Sequence, residues 1–68
     1  MIWDEELERV ALTVERTFGS DALDAATERA IRNGRTEVLR LSNEKLPIPH
    51  SVFTDAFRAE LEQLLRPH

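Results

Sequence analysis

The apolar residues Trp3, Leu7, Val10, Val14 and Phe18 follow one another in steps of four, three, four and four. That spacing draws one stripe along a helix, widened by Ala11, with Leu12 off to its side. The positions around it are rich in glutamate, and Asp4, Glu5 and Glu6 fall in the first turn, where the positive end of the helix dipole favours them. A first helix is predicted over about 3–18. Gly19-Ser20-Asp21 interrupts it, because glycine suits a helix stop and Ser20 or Asp21 can cap a new helix after a short connection. The second helix is predicted over about 21–32. Its Ala22, Ala26 and Ala30 give a side small enough for a close neighbour, and Asn33-Gly34 supplies a left-handed terminator.

Beyond Gly34 the pattern alternates. Glu37, Leu39 and Leu41 fall on one face of an extended chain and Thr36, Val38 and Arg40 on the other, which predicts a short strand over 36–41. Ser42-Asn43-Glu44-Lys45 reads as a turn. Leu46-Pro47-Ile48-Pro49 is then extended, since each proline fixes its own φ and biases the preceding residue away from helix. The prolines lack NH donors, so this segment pairs with the strand only as an edge, giving at most a ragged hairpin within an extended stretch of about 36–49. A third helix, capped by Ser51 or Thr54, is predicted over about 51–65, with Phe53, Phe57, Leu61, Leu64 and Leu65 as its stripe. The fold class expected is mainly α: a single domain over 1–68, with three helices and one short β-strand or ragged hairpin between the second and third. One strand leaves backbone groups unpaired, and the same strand from a second copy is the simplest partner, so the expected domain is dimeric.

Size sharpens that expectation. A chain of 68 residues buries only about 60% of the surface its unfolded form exposes, and with no cysteine it has no disulfide to compensate. Association with itself or with another protein is the natural supplement. The acidic N-terminal sequence does not resemble a secretory signal and no long apolar run is present, which points to a cytoplasmic location and no membrane partner. The net charge of −4 conceals an asymmetry: residues 1–28 carry eight acids against two arginines, whereas residues 29–45 carry five bases against two acids.

Candidate chemistry is thin. His50, Ser51 and Asp55 include hydrolase residue types, but consecutive His50 and Ser51 ordinarily point apart, and a polar start to the third helix accounts for them. His50 and His68 have no ligand spacing between them, and the two glycines, Gly19 and Gly34, form no phosphate-binding loop. No catalytic residue, metal site, cofactor or small-molecule substrate is therefore expected. The expected function is a non-catalytic protein–protein interaction module, an adaptor, inhibitor or regulatory accessory protein acting as a homodimer or on another protein. Its interface candidates are Trp3, a large ring for so small a domain to cover, together with Val38, Leu39, Leu41 and Ile48. Glu5, Glu8 and Glu15 form an acidic face that could imitate nucleic-acid phosphates or simply be solvated. The alternative is a small dimeric DNA-binding regulator that uses Arg29, Arg32, Arg35 and Arg40 of the basic 29–45 segment on phosphates.

Overall fold

The computed structural model describes residues 5–66. Three helices follow one another: α1 (Glu5–Phe18), α2 (Ser20–Asn43) and α3 (Val52–Leu65). Only Gly19 separates α1 from α2, a tighter joint than the three-residue connection predicted. Its φ of 97° and ψ of 165° lie in a backbone region essentially reserved for glycine. Neither α2 nor α3 receives the predicted side-chain cap. Ser51 instead donates its hydroxyl to Asp55 Oδ2 at 2.9 Å.

The stripe of α1 supplies Leu7, Ala11 and Val14 to a core that Ala26 of α2 and Leu61 of α3 complete. Val10, Leu23, Phe57 and Leu64 pack around it. Leu41 and Val52 border one common depression while Arg29 bonds Glu60, so α3 starts beside the end of α2 and runs back along it. Glu6 and Arg58 tie α1 to α3 at 4.0 Å. Trp3 and His68 lie outside the described residues.

No strand or hairpin is present among the described residues, and the predicted strand over 36–41 is corrected to helix. Helix α2 continues through Asn33-Gly34 for 24 residues, about 36 Å at the helical rise, and spans most of the molecule's 40 Å length. The physical reason is tertiary. The four-residue series Ala22, Ala26 and Ala30 carries on through Gly34, and the stripe goes on to Val38 and Leu41, so one continuous face meets the other helices. At Gly34 the Phe53 ring of α3 rests on the backbone, and a Cβ built there would stand 2.6 Å from Phe53 Cε1. Asn33 Nδ2 donates to Glu60 Oε1 at 3.0 Å. The pair that reads as a terminator is the seat of α3.

The helix ends eleven residues later than Asn33-Gly34 suggests in a Schellman arrangement: Leu46 NH donates to Leu41 O at 2.9 Å and Lys45 NH to Ser42 O at 3.1 Å. Lys45 takes the left-handed conformation, φ 57°, that glycine usually supplies. Of the predicted extended segment, only the stretch after Asn43 is non-helical. Strand pairing between copies through 36–41 therefore has no structural basis, because those backbone groups are spent on the helix.

Candidate interaction surface

Helix α2 turns two faces outward from one cylinder. Its inner face holds Ala26, Ala30, Gly34 and Leu41, all buried. Its outer face reads Asp24, Glu28, Ile31, Arg32, Arg35 and Leu39, all exposed, with acids toward the N-terminal half and arginines toward the C-terminal half. Ile31 is 42% exposed and Leu39 64%.

Ile31 joins two concave regions. An open groove of about 310 Å³ between α2 and α3 is lined by Thr27, Ala30, Ile31, Phe53, Thr54 and Phe57, almost wholly by carbon. Phe53 is 44% exposed there, since its ring reaches over Gly34 rather than into the core. A shallower depression of about 410 Å³ continues along α2 past Arg32, Arg35 and Thr36 to Leu39. Apolar and cationic groups thus adjoin on one surface.

The arginines divide into two kinds. Arg29 Nε donates to Glu60 Oε2 at 3.1 Å, holding a carboxylate that is otherwise buried between α2 and α3. Arg40 is clamped between Glu37, at 3.1 Å from its Nε, and Glu44, at 2.6 Å from its Nη1. The Arg40 hydrogen bond holds the Glu37 carboxyl below its usual range, and Glu37 in turn raises the guanidinium. The guanidinium groups of Arg32 and Arg35 have no hydrogen bond or ion pair among the described residues. Two of the four predicted phosphate-binding arginines are already spent on the fold.

The remaining candidates scatter. Val38 is half-buried, Leu41 is 8% exposed and belongs to the inner face, and Ile48 lies exposed on the loop before α3. Leu39 therefore points away from Leu41, although an extended chain would place both on one side. Glu5, Glu8 and Glu15 are all exposed on α1. His50 makes no hydrogen bond to Ser51, whose hydroxyl is engaged by Asp55. Among the described residues no three His, Cys, Asp or Glu side chains gather as a metal site, and no helix is long and apolar enough to cross a membrane.

Sequence reasoning named neither Ile31 nor Phe53 among its interface candidates. Ile31, Arg35 and Leu39 at four-residue spacing carried the signal of a second helical face, but only once α2 is known to continue past Gly34. Comparison with protein-family models, with curated proteins and with solved structures finds no match, so the residues themselves carry the functional argument.

Proposed function

We propose that the chain is a non-catalytic protein–protein interaction module whose docking surface is the α2–α3 groove at Ile31 and Phe53, with its continuation along α2 to Leu39. The partner it fits is an amphipathic protein segment that sets an apolar side chain against Phe53 and Ile31 and places carboxylates beside Arg32 and Arg35. The observation that carries the reading is the exposure of Ile31 and Phe53, 42% and 44%, around a groove lined by carbon. Among the described residues eight hydrophobic side chains are buried, three of them alanines, while eight large ones are exposed. A surface that exposes eight large apolar groups where only five apart from the alanines are buried gains from a partner.

The DNA-binding alternative has less support. Arg29 and Arg40 are paired internally, and Asp24 and Glu28 share the face on which Arg32 and Arg35 stand, so phosphates approaching the arginines meet carboxylates as well.

Affinity capture from the source cells, comparing wild type with Ile31→Asp and with the equally surface-exposed control Leu12→Asp, tests the reading. A protein retained by wild type and by Leu12→Asp but lost with Ile31→Asp supports it. Retention indifferent to Ile31, or salt-sensitive binding to duplex DNA in place of any protein, contradicts it.

A further inference from the structure

Glu28, Ile31 and Arg35 stand three and four residues apart, one above the next on the outer face of α2. Glu28 and Arg35 are exposed and, like Arg32, form no ion pair within the chain among the described residues. The acid and the base flank Ile31 almost symmetrically along the axis. We infer that the partner for this face is a second copy of the chain, with the two α2 helices antiparallel about a two-fold axis beside Ile31, so that Arg35 of each copy meets Glu28 of the other.

The inference rests on reading this chain as an interaction module, and it deepens that reading: the N-terminal half of α2 is itself an amphipathic segment with carboxylates beside an apolar residue. Charge complementarity selects the antiparallel arrangement. A parallel pair in register would place Glu28 on Glu28 and Arg35 on Arg35, whereas reversing one helix turns both repulsions into attractions. In the reversed pair the axis falls close to midway between the two charges, which brings the Ile31 side chains of the two copies together where water is most easily excluded. Opposed helix dipoles favour the same direction. This pairing needs no β-structure, unlike the strand pairing between copies that the sequence suggested. Ile31 and the neighbouring Leu39 supply modest apolar area, so the dimer is weak and is populated at high protein concentration.

Sedimentation equilibrium over a wide concentration range, on the full 68-residue chain, tests the arrangement through a charge swap. The wild type is expected to dimerise reversibly, and less tightly as salt rises. Glu28→Arg and Arg35→Glu should each raise the dissociation constant by roughly tenfold to a hundredfold, because symmetry applies each reversal twice. The double variant Glu28→Arg/Arg35→Glu should restore association to within a few-fold of wild type. Circular dichroism guards the comparison, since both side chains are exposed and the fold should be unchanged. A wild type that stays monomeric at the highest concentration, single reversals without effect, or a double variant that fails to recover would each overturn the inference. Glu28→Arg leaves the carbon lining of the α2–α3 groove and both Arg32 and Arg35 in place, so capture of a different protein through Ile31 would survive the loss of the dimer in that variant.

Discussion

The Phe53 ring lies so close to the backbone of Gly34 that any side chain at Gly34 would displace it, with 2.6 Å left between a built Cβ and Phe53 Cε1. Glycine in a helix interior costs about 1 kcal/mol relative to alanine, yet here it admits α3 to the middle of α2. The contact also holds Phe53 at the lip of the groove. Gly34→Ala alone should therefore destabilise the protein by roughly 1–2 kcal/mol despite its better helix propensity. In a Phe53→Ala background the same change should stabilise by about 0.5–1 kcal/mol, because only the propensity gain is left. Chemical denaturation of the four proteins closes the cycle, and a Gly34→Ala effect of one sign in both backgrounds would disprove the steric coupling.

Glu60 is the one buried charged side chain among the described residues, and its two oxygens are taken by Arg29 and Asn33. Arg29→Leu leaves a buried carboxylate with half its partners and should cost roughly 1–2 kcal/mol, discounted because Arg29 is 42% exposed. Asn33→Ala should cost about 0.5–1 kcal/mol by the same argument. The two losses should not add, since both substitutions act on one carboxylate. Urea denaturation of the singles and the double would reveal strict additivity if the network is absent.

Lys45 occupies the left-handed corner of the α2 terminus, where a β-carbon is strained. Lys45→Gly relieves that strain at some cost in unfolded-chain entropy, and should raise stability by about 0.5–1 kcal/mol. Thermal melting is the readout. A lowered midpoint would place the helix end elsewhere.

The first helix was legible because two independent signals agreed, the apolar stripe through Leu7, Val10 and Val14 and the acids of the first turn. The stretch from Thr36 to Leu41 was not. Six residues of alternation are too few to separate the strand period from the helical one, and Val38 and Leu41, three apart, suit a helix equally well. Asn33-Gly34 misled for a different reason: its role is set by Phe53 and Glu60, many residues downstream, and no local propensity carries that information. The true stop was hidden because lysine holds the left-handed position. The acidic N-terminal part and basic middle were readable as composition, but their arrangement on one α2 face depended on the helix being continuous.

Leu39 and Leu41 give a direct test of that continuity at the level of side chains. On a helix they point apart, Leu39 outward at 64% exposure and Leu41 inward at 8%. Leu41→Asp should cost roughly 3 kcal/mol or more, by creating a cavity and burying a charge, whereas Leu39→Asp should change stability by no more than about 0.5 kcal/mol. Equal effects of the two substitutions in thermal melts would indicate one shared face and an extended chain.

The seat of Phe53 and the outer face with Ile31 both exist only if α2 is a single helix from Ser20 to Asn43. Backbone NMR Cα secondary shifts over residues 20–43 measure this residue by residue. Helical shifts running unbroken through Asn33-Gly34 to Asn43 are the expected result. A return to coil values at 33–35, followed by extended-chain shifts over 36–41, would contradict it.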